Sequence, residues 1–431
     1  MTYKEARVYL DEVSKYGSVL GLDTIQNLLR ELHNPQDGLK FIHIAGTNGK
    51  GSVLAYTSTI LSEAGYRTGR YVSPTVISYL ERIQIDGRWI QEEDFAELVE
   101  EVQRAIARME AHGETVPTVF EVETAVAFLY FKKKNCDIVV LETGLGGSLD
   151  ATNIVKNTLI AAFASISRDH MGFLGDTLPE IAENKAGIIK PGCTVITAEQ
   201  KPDVMRILKE RAQQLRCPVI SADMSQAVIL EAGYKGQTFS YKDMEAISIR
   251  MAGRYQIGNA LTALEIILAV RKLGYSVSKE ALSSGFKKTV WPGRFSCVCE
   301  EPVFIVDGAH NEDAARVLRE SVEQYFQGRR LIYIMGVFRD KEYDKISKIM
   351  GPLADKIYTV ELPDEKRTLD ASSLKRALDP YCKDVDAVGD IRNAVNLAFE
   401  EAKKEDVILA FGSLSYLGQV MQVVENMRGK L

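Results

Sequence analysis

No stretch of this chain is long and apolar enough to span a membrane; the richest, around residues 264–270, carries Glu265. The first residues, Met1-Thr2-Tyr3-Lys4-Glu5-Ala6-Arg7, are charged and lack the apolar core of a secretory signal. A basic excess is missing as well: the net charge is −6, which argues against a general nucleic-acid surface. Six cysteines are scattered, with only Cys297 and Cys299 close together. With five histidines in all and no metal-type spacing near that pair, they read as reduced thiols of a cytoplasmic protein. Tandem repeats and low-complexity tracts are absent too. What is left is a globular composition, 46% apolar and 26% charged, in 431 residues, too many for one ordinary core. Two domains are expected.

The stretch that organises the chain is Phe41-Ile42-His43-Ile44-Ala45 followed by Gly46-Thr47-Asn48-Gly49-Lys50-Gly51-Ser52. A buried strand runs into a glycine-rich turn, and a helix begins at Lys50. Three glycines let the backbone bend so that successive N–H groups can face one anion. The helix N-terminus adds its dipole, Lys50 a point charge, and Ser52 a hydroxyl suited to Mg²⁺. The spacing is tighter than the usual phosphate-binding loop, since only two residues separate Gly46 from Gly49 and Gly51 stands between Lys50 and Ser52. Val53, Thr57, Ile60, Leu61 and Ala64 then recur at helical spacing and Gly65 closes the helix. Context of this kind points to nucleoside triphosphate binding.

Residues 4–32 read as two short helices ahead of that strand, 67–71 as a strand running into Ser73-Pro74, 81–87 as a hairpin arm and 91–111 as an amphipathic helix. Residues 119–132 are apolar nearly all round, as in a helix buried against a sheet. Residues 137–141 form a short, wholly apolar strand, and Glu142-Thr143-Gly144-Leu145-Gly146-Gly147 follows at once. Parallel sheets bury such strands on both faces, and ligands collect beyond their carboxyl ends. Glu142 therefore stands where an acidic residue would meet Mg²⁺. Residues 159–166 repeat the pattern and end in Asp169-His170, a metal-ligand candidate. Thr177-Leu178-Pro179-Glu180 is a capping box that starts a helix. Strands near 194–198 and 218–221, an antiparallel patch within 226–250 and an apolar helix from Gly253 to about Leu273 complete this part.

Trp291-Pro292-Gly293-Arg294 breaks the chain before a second βα series, which places the domain boundary there: 1–295 and 296–431. Residues 303–306, 331–335, 356–360 and 407–411 are buried strands with helices between them, and Asn311 is an N-cap. The fold class expected is α/β: a mostly parallel sheet carrying the phosphate loop, followed by a smaller Rossmann-like α/β domain.

Together these segments resemble the folylpolyglutamate synthase/dihydrofolate synthase family, within the Mur-ligase-like group of ATP-dependent amide ligases. The resemblance rests on the loop 46–52, Ser73-Pro74, Glu81-Arg82-Ile83, the loop 142–147, Leu149-Asp150-Ala151-Thr152-Asn153, Asp169-His170, Lys185-Ala186-Gly187, Gln256 with Asn259, Pro292-Gly293-Arg294 and Asp307-Gly308-Ala309-His310-Asn311. It covers essentially the whole chain. Two departures stand out: Ser148 where the family usually has arginine, and Thr75 where histidine often follows Ser-Pro.

The resemblance implies a reaction in which a folate carboxylate takes the γ-phosphoryl of ATP and the amine of L-glutamate then displaces phosphate from the acyl phosphate. Dihydropteroate is a second possible acceptor. It implies that Gly46, Thr47, Asn48, Gly49, Lys50, Gly51 and Ser52 hold the triphosphate. Ser52, Ser73 and Glu142 are expected at one Mg²⁺, and His170 with Glu142 and a carbamoylated Lys185 at a second, so that Lys50, His170 and Lys185 carry the chemistry. Asn259 is expected to read the adenine, Arg294 to face the phosphates, Asp307 to bind ribose and His310 to pack on the base. Placement supports the carbamate: Lys185 is spaced from Ile181, Ile188 and Ile189 so as to share an apolar helix face, which strips hydration and favours the neutral amine that attacks CO₂. The chain is expected to act as a cytoplasmic monomer with no membrane or nucleic-acid partner.

Rival readings are weaker. A GTPase is suggested by Asp169, Gly172 and Asn184-Lys185, but Gly187 occupies the guanine-reading aspartate position. A non-catalytic nucleotide-gated binding protein would need the loop but not a second metal set. A cell-wall Mur ligase would need a UDP-binding domain ahead of Gly46, where 45 residues stand. A related ligase acting on another carboxylate stays open.

Overall fold

The computed structural model describes residues 1–14, 21–168 and 174–428. The chain folds into two compact units. The first takes in Met1–Ser73, Leu80–Gln226 and Gly258–Lys288; the second takes in Pro74–Tyr79, Ala227–Ile257 and Thr289–Leu431. A single cut after residue 295 would assign segments 74–79, 227–257 and 289–295 to the first unit, whereas they pack with the second.

The first unit is built on β1 (Phe41–Ala45), β2 (Thr68–Tyr71), β3 (Ile83–Ile85), β4 (Arg88–Trp89), β5 (Ile138–Glu142), β6 (Thr158–Phe163), β7 (Thr194–Thr197) and β8 (Val219–Ser221). They form one sheet in the order β4-β3-β2-β5-β1-β6-β7-β8. From β2 to β8 all neighbours run parallel; β3 and β4 add an antiparallel hairpin. Every residue of β1 and β5 is buried, as continuous apolar runs in a sheet covered on both faces require. The helix Val119–Lys133 starts at a full capping box, Thr118 with Glu121, and buries most of its circumference. The helix Leu178–Ala186 starts the same way at Thr177 with Glu180, as its sequence predicts.

The second unit holds two sheets. Residues 226–250 form the expected antiparallel patch, β9 (Ala227–Gly233), β10 (Gly236–Tyr241) and β11 (Met244–Ile249), in the order β11-β10-β9. The larger sheet has β12 (Ser296–Glu300), β13 (Val303–Val306), β14 (Leu331–Met335), β15 (Lys356–Val360), β16 (Val385–Gly389) and β17 (Val407–Phe411) in the order β12-β13-β17-β14-β15-β16. All but β12 run parallel. Alternate residues feed two cores: Val303, Ile305 and Tyr333 enter one, and Phe304, Val306 and Ile334 the other. Helices therefore cover both faces, which is the Rossmann-like arrangement expected.

Candidate active site

Strand β1 lies between β5 and β6, with Ile44 opposite Glu142 and Ala45 opposite Phe163. Three loops leave the sheet at one level: 46–49, 143–148 and the segment after Phe163. The helix Lys50–Glu63 begins at Lys50, as predicted. Its first internal bond is Val53 N to Gly49 O at 3.0 Å, so the first-turn amides stand ahead of the helix's own ladder, at its positive dipole end. Gly49 has φ 91°, and a Cβ there would lie 2.5 Å from Asn259 Oδ1. Only glycine fits both the turn and that approach.

Two amides of the loop have partners within the protein. Thr47 N and Asn48 N both donate to Ser165 O, at 2.7 and 3.2 Å. The Thr47 hydroxyl donates to Ser167 O at 2.9 Å and accepts from Ser167 N at 3.0 Å. With so short a loop, the chain after β1 runs antiparallel against the chain after β6, and its amides take partners there.

Two lysines converge on the loop. Lys50 Nζ lies 3.2 Å from Gly46 O, 3.4 Å from Thr47 O and 3.9 Å from Glu142 Oε1. Lys185 Nζ donates to Gly46 O at 2.9 Å, and the residue is 4% exposed. The helix that carries Lys185 stops at Ala186 with Gly187 as its cap, so Ile188 and Ile189 do not share a helical face with Lys185. The lysine is buried because its chain end packs on the loop after β5: Ser148 N and Oγ both donate to Asn184 O at 2.8 Å, and Asn153 Nδ2 donates to Ser148 O and Gly187 O. Serine at 148 thus closes this junction, and a Cβ on Gly187 would collide with it. Ser73 follows β2, whose Tyr71 is opposite Leu141, so it leaves the sheet on the strand next to Glu142. His170 lies outside the described residues.

A buried relay beneath the site had no role in the sequence reading. Asp150 accepts from Leu145 N at 2.7 Å, from Thr152 N at 3.0 Å and from the Thr152 hydroxyl. His43 Nε2 meets the same hydroxyl at 2.9 Å. Since the hydroxyl donates to Asp150, the imidazole donates through Nε2–H. Burial pushes His43 down to about 3, so the ring stays neutral. Burial pushes Asp150 up, against the pull of its donors. The relay holds the glycine loop after Glu142. A polar residue inside an otherwise apolar strand was its sequence signal.

In the second unit, Arg294 Nη1 donates to Gly293 O at 3.2 Å. Asp307, the expected ribose ligand, is 6% exposed and accepts from Ala309 N and Phe295 N, each at 2.8 Å, and from the Tyr255 hydroxyl at 3.3 Å. His310 Nδ1 donates to Gly308 O at 2.7 Å, and Asn311 caps the next helix through Ala314 N at 2.9 Å.

Among the described residues no group of three or more His, Cys, Asp or Glu could by itself hold a metal. Mg²⁺ does not need such a cage, since it keeps waters and shares ligand phosphates. The hard oxygen donors Ser52, Ser73 and Glu142, at the ends of adjacent elements, suit it. Among the described residues no helix is long and apolar enough to cross a membrane.

Two family models match the chain: the Mur ligase middle domain over residues 44–267, and the Mur ligase glutamate ligase domain over residues 293–414. The chain is 34% identical to the dihydrofolate synthase/folylpolyglutamate synthase of Bacillus subtilis, with 97% of this chain and 98% of that protein covered. It is 30% identical to the enzyme of the same name from Escherichia coli, with 97% and 95% covered. The crystal structure of folylpolyglutamate synthase from Thermotoga maritima superposes with a TM-score of 0.86 at 32% identity, covering 99% of this chain and 97% of that one. The Mycobacterium tuberculosis folylpolyglutamate synthase complexed with ADP and AMPPCP superposes with a TM-score of 0.88 at 28% identity, covering 98% of each. The chain belongs to the dihydrofolate synthase/folylpolyglutamate synthase family of Mur ligases.

Proposed function

We propose that this chain is an ATP-dependent ligase that adds L-glutamate to a folate, with dihydropteroate as a further acceptor, and releases ADP and phosphate. The observation that carries this reading is the convergence of Lys50, Lys185 and Glu142 at the loop after β1, in a chain of this family. A carboxylate is a poor electrophile because oxide is a bad leaving group; phosphorylation makes it a good one. The enzyme must bring two anions together and hold the transferring group in line, a task of positioning and charge.

Lys50 and the first-turn amides of its helix hold the β- and γ-phosphates. Mg²⁺ held by Ser52, Ser73 and Glu142 would neutralise phosphate charge, and a second ion would be held by His170, Glu142 and a carbamate on Lys185. Asn259 meets the adenine, as does His310, and Arg294 meets the phosphates. The glutamate amine then attacks the acyl phosphate, forming the amide and expelling phosphate. ADP release measured with tetrahydrofolate and with dihydropteroate, each with and without L-glutamate, tests the reading. Release that depends on both the acceptor and glutamate supports it. Nucleotide binding without turnover would make the chain a binding protein, and turnover only with another carboxylate would make it a different ligase.

A further inference from the structure

Arg294 sits on a turn whose backbone does not hold itself. Phe295, the next residue, has φ 45°, a left-handed conformation that a bulky side chain rarely adopts. Such a residue persists only where its surroundings fix it. Here Phe295 N donates to Asp307 Oδ2 at 2.8 Å, and the Phe295 ring packs against Tyr325 and Phe326 with centroids 5.8 and 6.2 Å away. On the other side of Arg294, Gly308 N donates to Gly293 O at 2.8 Å. Residues 307–309 thus grip the turn 293–295 at both ends. The guanidinium and the Leu414 side chain both lie over Gly308, where a Cβ would stand 2.5 Å from Nη1 and 2.4 Å from Leu414 Cδ2. The Arg294 charge also pulls on the buried Asp307 carboxylate, against the effect of burial, so the arginine is coupled to Asp307 by charge as well as through the backbone of the turn.

The Asp307 carboxylate is in turn oriented by Tyr255. The hydroxyl donates to Oδ2, the same oxygen that receives Phe295 N. Burial and the adjacent carboxylate push this phenol well above its ordinary value, so it keeps the proton it donates. The Tyr255 ring packs against Gly253, where any Cβ would collide with it. Gly253 is fixed by its carbonyl, which accepts from Gln237 Nε2 at 2.9 Å, and by its amide, which donates to Tyr325 OH at 3.2 Å.

We propose that Tyr255 and Asp307 are positioning residues that act through the strained Phe295 turn to aim Arg294 at the nucleotide phosphates. The inference rests on the reading of Arg294 given above. It gives Asp307 a task beside the expected ribose contact: its carboxylate also holds the protein's own backbone.

The test is a double-mutant cycle on binding of a non-hydrolysable ATP analogue with Mg²⁺, followed by calorimetry. Tyr255→Phe keeps the ring and removes one hydrogen bond; it is expected to weaken binding about 2- to 10-fold. Arg294→Ala is expected to weaken it more than about 10-fold. In the double variant, Tyr255→Phe should add less than about twofold to the Arg294→Ala defect, because its effect runs through the arginine. Multiplying defects in the double variant, or wild-type affinity in Tyr255→Phe, would overturn the inference. Wild-type affinity in Arg294→Ala would overturn it too, while glutamate-dependent ADP release would leave the ligase reading standing. A wild-type protein that binds no ATP analogue and releases no ADP would sink both.

Discussion

The Lys185 amine donates to the carbonyl oxygen of Gly46 at 2.9 Å. That oxygen is also within 3.2 Å of Lys50 Nζ, so two cationic side chains from distant parts of the chain face one turn of backbone. Like charges so placed repel unless an anion or a change of charge intervenes. On the function proposed here the triphosphate would supply the first, and a carbamate on Lys185 would supply the second, turning one of the two cations into an anion.

Replacing Lys50 with alanine tests the first half. The variant should fold, with a thermal midpoint near that of the parent, because Lys50 heads a helix whose core contacts lie further along. Amide formation should fall about 10²-fold or more, the scale for losing one preorganised charge at a reacting group. Turnover near the parental rate would show that the loop does not hold the transferring phosphate.

Lys185→Ala tests the second half. Activity should be lost and partly restored by short-chain carboxylic acids, which can take the place of the carbamate oxygens. Parent enzyme equilibrated with ¹³C-bicarbonate should show a carbamate carbon signal that the variant lacks. A spectrum without that signal, together with no rescue, would leave Lys185 as a plain amine bonded to Gly46.

His43 makes a prediction about acid. Its folded value of about 3 lies below the ~6.5 of an unfolded chain. Between those values the unfolded state binds the extra proton, so stability is full above pH ~6.5 and falls as the pH drops toward 3. The slope from this group approaches ~1.4 kcal/mol per pH unit. Urea unfolding from pH 7 to pH 5 should therefore be steeper in pH for the parent than for His43→Gln. Equal slopes would mean that the imidazole is not held neutral.

The nucleotide should be ATP rather than GTP, since Gly187 stands where a guanine-reading aspartate would be and Asn259 is placed against the phosphate loop at Gly49. Competition binding that gave GTP equal or tighter affinity would remove Asn259 and His310 from the base site.

Much of the fold was legible because parallel strands buried on both faces read as unbroken apolar runs. Ile138–Glu142, Val303–Val306, Leu331–Met335 and Val407–Phe411 all stand where such runs place them. The edge strands Ser296–Glu300 and Val385–Gly389 are only partly buried and gave no such run, and the short helix Lys279–Lys288 was missed between stronger signals. At the site, the loop and Glu142 were readable because each follows its strand directly. The Ser165 clamp, the His43–Thr152 bond and the Tyr255–Asp307 bond join residues far apart in sequence; His43 and Thr152 are 109 positions apart. Such pairings are set by sheet register and packing, which local pattern does not encode. The same limit explains Lys185: its burial was expected from a helical face but arises where its helix end packs on the loop after β5, with Ser148 bonded to Asn184, 36 positions away.

The central claim is that a folate carboxylate is activated by phosphorylation, and oxygen labelling tests it directly. Tetrahydrofolate with its terminal carboxylate enriched in ¹⁸O is turned over with ATP and L-glutamate, and the released phosphate is analysed by mass. If the acyl phosphate forms, one carboxylate oxygen leaves with the phosphate, so the phosphate gains ¹⁸O in step with amide formed. Unlabelled phosphate at full conversion would contradict the account.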